Sequence, residues 1–271
     1  MTGSLIPRMS TLFLILCLIK NSLCQAQVGF QISPAKLYFT QKGTAEQTAR
    51  LHVTNTMNVR LVLQTSCSDW RRDSMGTKTY YPAGSLSTSC CSLFKFTPSI
   101  IELAPGEARD VLVTLVASPQ AKTSFVRNGM LFLTQSNEQE MARLQGASQF
   151  VIKVQMGVHL YVQPEEGLQP EIAITGMEVA KSGEQNLVKV QVHNVGGAML
   201  ESQLRLEYLN LETMEEVKAE AIPVNTLPKE GFKVTAAIPS TVPPGKYLIV
   251  AILDSGPSQA LKVAELEAVL K

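Results

Sequence analysis

Residues 150–162 read FVIKVQMGVHLYV, and every even position among them is apolar: Phe150, Ile152, Val154, Met156, Val158, Leu160 and Val162. The odd positions are mixed: Val151, Lys153, Gln155, Gly157, His159 and Tyr161. Period two sustained this long predicts a β-strand with one apolar face. At about 3.3 Å per residue the stretch spans roughly 40 Å, whereas typical strands have only about five or six residues. A sandwich of ordinary thickness has no use for so long an apolar strand. The length therefore predicts an apolar edge offered to another protein. The plainer alternative is a core strand with one end over-extended.

Upstream of this strand, short alternating runs are divided by turn residues. Phe30 to Phe39 starts the fold, and residues 42–44 (KGT) turn the chain. Thr48 to Thr54 alternates until Asn55 ends it, and Val59 to Thr65 is the next apolar run. Trp70-Arg71-Arg72-Asp73 then falls in a longer connection reaching Tyr80, Tyr81 and Pro82. Ile100 to Leu103 precedes the turn Ala104-Pro105-Gly106-Glu107, and Asp110 to Val116 and Gly129 to Thr134 follow. A loop from Gln135 to Ser148 leads into the long strand. Downstream, Pro164 to Pro170 reads as a hinge. Beyond it Leu187–His193, Gln203–Leu209, Val217–Ile222, Phe232–Ile238, Tyr247–Leu253 and Leu261–Val269 supply further strands. Short strands punctuated by Gly and Pro, with no convincing helix, predict an all-β chain of two immunoglobulin-like sandwiches. The expected boundaries are 27–164 and 165–271.

The first 26 residues read as a secretory leader. Arg8 precedes an apolar core from Leu12 to Ile19 that is too short to span a bilayer, and NSLCQAQ follows it. Cleavage is expected after Ala26, and no later run is long enough for a membrane-spanning helix, so the mature protein is expected to be exported and soluble. Cys17 and Cys24 leave with the leader, and Cys67, Cys90 and Cys91 remain. An oxidising compartment permits a disulfide. Neighbouring strand residues face opposite ways, so one bridge is expected from Cys67 to either Cys90 or Cys91, with one thiol left over.

A net charge of +1 gives no case for nucleic acid. The histidines His52, His159 and His193 are scattered through strand patterns, and no HExxH, GxSxG, phosphate loop or CxxC occurs. Three cysteines with no nearby histidine make a poor zinc site. Neither an enzyme nor a cofactor or metal is expected.

An exported start, two sandwiches and an over-long strand closing the first together resemble the PapD-like periplasmic pilus-assembly chaperones. The carriers are FQISPAKLYF, TPSIIELAPGEARDVLV, MLFLT and FVIKVQMGVHLYVQP in the first domain. NLVKVQVHNVGG and GKYLIVAILDSG in the second suit many Ig-like domains. The resemblance implies periplasmic location and donor-strand complementation. The strand would fill the open groove of an incomplete Ig-like fibre subunit through Ile152, Val154, Met156, Val158 and Leu160. Pilus or fimbrial subunits are the implied partners, with an outer-membrane usher behind them, and an uncovered edge invites a self-capping dimer. The resemblance further implies two basic residues that anchor the subunit's terminal carboxylate. Lys36 matches one position, and His159 stands where the family has lysine. It also implies charged interdomain contacts, which fall here on Asn128, Gln163 and Asp254, and only Asp254 keeps its charge. The interdomain angle is therefore expected to be less firmly fixed. The alternative from another class is an exported structural or scaffold protein of the cell envelope that never transfers a client.

Overall fold

The computed structural model describes residues 29–43, 45–116, 124–144, 151–183 and 185–270. The expected leader, with Ala26, Cys17 and Cys24, lies outside them, as do Thr44 of the first turn and Phe150. No helix among the described residues is long and apolar enough to cross a membrane.

The chain is all-β and forms two immunoglobulin-like sandwiches. Among the described residues the first holds ten strands: β1 (Phe30–Ser33), β2 (Lys36–Gln41), β3 (Gln47–Asn55), β4 (Leu61–Arg72), β5 (Lys78–Pro82), β6 (Phe94–Thr97), β7 (Ile100–Leu103), β8 (Ala108–Leu115), β9 (Arg127–Gln135) and β10 (Gln155–Pro164). One sheet runs β1-β3-β8-β6. The other runs β2-β10-β9-β4-β5, with β7 also on β4. Phe30 to Phe39 is therefore two strands, not one. The break falls at Pro34, which has no N–H to give a ladder, and the chain crosses there from one sheet to the other. Leu37, Leu51, Leu63, Ile101, Val113 and Leu131 are among the side chains buried between the two layers.

The second sandwich holds β11 (Ile172–Ser182), β12 (Gln185–Asn194), β13 (Leu200–Asn210), β14 (Glu216–Lys218), β15 (Ile222–Thr226), β16 (Gly231–Ala237), β17 (Gly245–Asp254) and β18 (Lys262–Leu270). Its sheets are β11-β12-β16 and β14-β13-β17-β18, with β15 also on β13. Val190, Leu206, Tyr208 and Ile249 centre its core.

Two further expectations need correction. Trp70 to Arg72 is not a connection but the end of β4. Alternation continues through Cys67 and Asp69 inward and Trp70 and Arg72 outward, a pattern the polar residues of this stretch obscure. The loop after Gln135 carries a short helix, α1 (Glu138–Leu144), with Glu138 and Glu140 in its first turn and Arg143 in its last, as the helix dipole favours. The expected single bridge from Cys67 is present and takes Cys91, and Cys90 is the thiol left over, free and buried. Cys90 and Cys91 do not alternate along a strand. They open a 3₁₀ turn, Cys91–Leu93, so both sulfurs lie near one spot. A Cβ on Gly129 would lie 3.0 Å from Cys90 Sγ, 3.3 Å from Cys91 Sγ and 3.5 Å from Cys67 Sγ. Glycine there makes the room for all three.

Candidate functional site

β10 is held on one side by β9 along Gln155–Val162 and on the other by β2 only along His159–Pro164. The first pairing is antiparallel and the second parallel. Gln135 N donates to Val154 O and His159 N donates to Ala35 O. Even residues thus bond toward β9, and odd residues present N–H and C=O to the opposite edge. At His159 that edge is taken. At Gln155 and Gly157 no strand of the described residues pairs with it.

The apolar even positions divide at the same point. Val158 and Leu160 are fully buried and Val162 is nearly so, all in the core of their own sandwich. Val154 and Met156 are half-buried and packed against that core. Ile152 is 78% exposed and Val151 54% exposed. The strand expected from residue 150 begins at Gln155, and residues 151–154 precede it outside any strand. Val158 and Leu160 are therefore not available to a partner. The alternation correctly separates the two faces, but at these two positions the apolar face is already covered.

The odd side chains of β10 lie on the outer face of the sheet. Lys36 and His159 are direct register partners across the parallel pair. Lys36 is exposed. The His159 ring packs edge-on to Trp70 at 4.9 Å between centroids and stacks on Tyr161 at 5.8 Å. Its Nε2 lies 3.0 Å from Lys78 Nζ, and Tyr161 Oη lies 3.3 Å from its Nδ1. Burial first, then the charges of Lys78, Lys36 and Arg72, push the His159 imidazole down to about 4. At neutral pH the ring is uncharged. It accepts from the Lys78 ammonium and adds no positive charge of its own. Lys78 Nζ also sits 5.3 Å from the centre of the Trp70 ring. Burial, then Arg72 and Lys36, lower the Lys78 ammonium. Gly157 leaves room on this face for the Met130 and Phe132 side chains, since a Cβ there would meet Met130 Sδ at 2.8 Å and Phe132 Cε1 at 3.2 Å.

The same face carries the domain interface. Trp70, Val126, Met130 and Tyr161 of the first domain pack with Leu227 of the second, and Leu168 and Met199 lie against them. Arg72 Nε donates to Glu230 Oε1 at 3.2 Å and Arg72 Nη2 to Glu230 Oε2 at 2.6 Å. The guanidinium also lies 4.8 Å from the Phe232 ring centre. This forked ion pair was not legible in the sequence. The three expected interface positions act otherwise. Asn128 is buried and donates to Trp70 O at 2.9 Å. Gln163 donates to Thr40 Oγ1 at 3.1 Å. Asp254 accepts from Gly256 N at 2.9 Å within its own turn, so the interface acid is Glu230. An angle expected to be loosely fixed thus has its own charged clasp, and an apolar cluster beside it.

No protein-family model matches the chain, and no curated protein matches it. Solved structures do. One is a chain from the work described as "Chaperone-tip adhesin complex is vital for synergistic activation of CFA/I fimbriae biogenesis", 10% identical with a TM-score of 0.49, covering 88% of this chain and 97% of that one. A second is the Class 5 fimbriae chaperone CfaA, 10% identical with a TM-score of 0.48, covering 89% and 100%. A third is the E. coli chaperone DraB, 15% identical with a TM-score of 0.42, covering 89% and 98%. Each of these likenesses spans most of this chain and nearly all of the other, at low identity.

Proposed function

We propose that this protein is a periplasmic chaperone that stabilises an incomplete Ig-like pilus or fimbrial subunit by lending it the open edge of β10. The observation that supports this most is the half-taken edge, free at Gln155 and Gly157 and closed by β2 from His159 onward. A strand added at Gln155–Val158 must stop where β2 begins. If it runs parallel to β10, it is collinear with β2 and ends in a carboxylate at Lys36. If it runs antiparallel, it brings an amino terminus against the Lys36 and Lys78 ammonium groups, which repels. The edge and its charges therefore favour a client strand that runs parallel and ends there, with Lys36 as its anchor.

The side chains lent are Ile152, Val154 and Met156, which are not fully buried in this protein's own core. Their further burial, at about 25 cal/mol per Å², would be the main gain, with the edge hydrogen bonds contributing about 1 kcal/mol each. Ordering and association costs keep such a complex reversible. In this role the client passes onward to an outer-membrane usher, and a second copy can cap the idle edge.

The test uses Gln155→Pro. Proline removes one outward N–H and leaves the β9 ladder untouched, so the fold is expected to stand while strand addition fails. Tagged wild type isolated from its native envelope is expected to carry small Ig-like subunits, and the variant is expected to come out alone. Equal recovery of the same large envelope assembly by both proteins would sink the reading and favour a scaffold.

A further inference from the structure

The resemblance implies two basic anchors, and His159, which stands at the second position, is uncharged at neutral pH. The second ammonium on this face comes from elsewhere. Lys78 lies on β5, with β9 and β4 standing between it and β10. Its side chain crosses the Trp70 ring to reach His159 Nε2 at 3.0 Å. His159 is the register partner of Lys36, and neighbouring strands lie about 4.8 Å apart. The three side chains therefore converge on one patch at the point where the free edge ends.

The charges on the patch are not balanced. Among the described residues neither Lys36 nor Lys78 has a carboxylate within ion-pair distance, whereas nearby Arg72 is matched by Glu230. One of the three Lys78 donors is taken by His159, and the others remain for a ligand. We infer that Lys78 is the second carboxylate anchor of this protein, held in place by the His159 ring nitrogen and the Trp70 face. This rests on the chaperone reading above. It gives His159 a positioning role, as the acceptor that aims the lysine, instead of a binding role. Neutral His159 is what makes this possible, because a protonated ring would repel the ammonium it now holds.

The experiment uses the client complex isolated from the native envelope and a zero-length carbodiimide. This reagent condenses an amine with a carboxylate, losing water, only where the two already touch. Peptide mapping is expected to find the client's last residue joined through its terminal carboxyl to Lys78 Nζ as well as to Lys36 Nζ. Lys78→Met, which keeps the packing on Trp70, is expected to lower client recovery about tenfold. His159→Gln, which keeps an acceptor, is expected to retain the Lys78 link, and His159→Leu to lose it. Links to Lys36 alone, with Lys78→Met recovering the client as wild type does, would overturn the inference and leave the chaperone reading standing. No client at all, or a client linked only through internal carboxylates, would overturn both.

Discussion

The Arg72–Glu230 clasp can be tested quantitatively by a double-mutant cycle. The two side chains are 20% and 9% exposed, so the pair lies between the surface and fully buried cases. Exposed pairs contribute about 0–1 kcal/mol, and removing one partner of a buried pair costs about 3–5 kcal/mol. The forked geometry favours the upper part of the interval between them. Arg72→Met keeps part of the stem against Phe232 and is expected to cost about 2 kcal/mol, since Glu230 loses its cation but keeps the Leu227 N–H at 2.7 Å. Glu230→Gln is expected to cost about the same. The coupling between them should be about 1.5 kcal/mol. Urea unfolding followed by the fluorescence of Trp70, the sole tryptophan, reads the right place, because Trp70 sits in the interdomain cluster. Single variants whose costs simply add, with coupling below about 0.5 kcal/mol, would refute the claim that this pair clamps the domains.

Three further outcomes follow from the same geometry. Leu160→Ala should destabilise the first domain by about 2–5 kcal/mol, and Ile152→Ala by less than about 0.5 kcal/mol, as measured by chemical denaturation. Equal effects would contradict the division of the strand into core and free halves. His159 has a depressed folded pKa of about 4 against 6.5 when unfolded, so below 6.5 the unfolded chain takes up a proton that the folded chain refuses. Stability should be flat above pH 6.5 and fall between 6.5 and about 4, then level off. The full shift would correspond to about 3 kcal/mol, and partial exposure reduces the expected loss to about 1–2 kcal/mol. His159→Gln should flatten that slope, and an unchanged slope in the variant would assign it to other groups. Reducing the Cys67–Cys91 bridge, which closes a sequence separation of 24, should cost about 3 kcal/mol. Without reductant Cys90 should stay unreactive to alkylation until the domain unfolds, because burial pushes its thiol up. Early alkylation of Cys90 in the native state would contradict its burial.

Much of the fold was legible in local pattern. Alternation from residue 150 separated the inward set, Val158 and Leu160, from the outward set, Gly157, His159 and Tyr161. It could not say which inward residues were already covered, because that depends on β2 docking in parallel from more than a hundred residues earlier. The resemblance singled out Lys36 through FQISPAKLYF and His159 through its place before Pro164, and the two are register partners across β2 and β10. The charge of the pair was not reachable that way. It depends first on the burial of His159 and then on Lys78, which is 81 residues away in sequence and crosses two intervening strands to reach the ring. Arg72 and Glu230 stand 158 positions apart, Arg72 in a stretch that reads as a connection and Glu230 just before the run from Phe232 to Ile238. The choice of Cys91 over Cys90 eluded an argument from strand alternation because these residues open a 3₁₀ turn. A seven-residue helix in a polar loop, α1, carries too short a periodicity to stand out.

The most direct test of the central claim places a photo-cross-linking residue at Gln155, irradiates intact cells that make the protein, and sequences the peptides joined to it. The account predicts attachment to the final strand of a small Ig-like subunit, close to its carboxyl terminus and running parallel to β10. Attachment only within this chain, or to a partner segment far from any chain terminus, would contradict it.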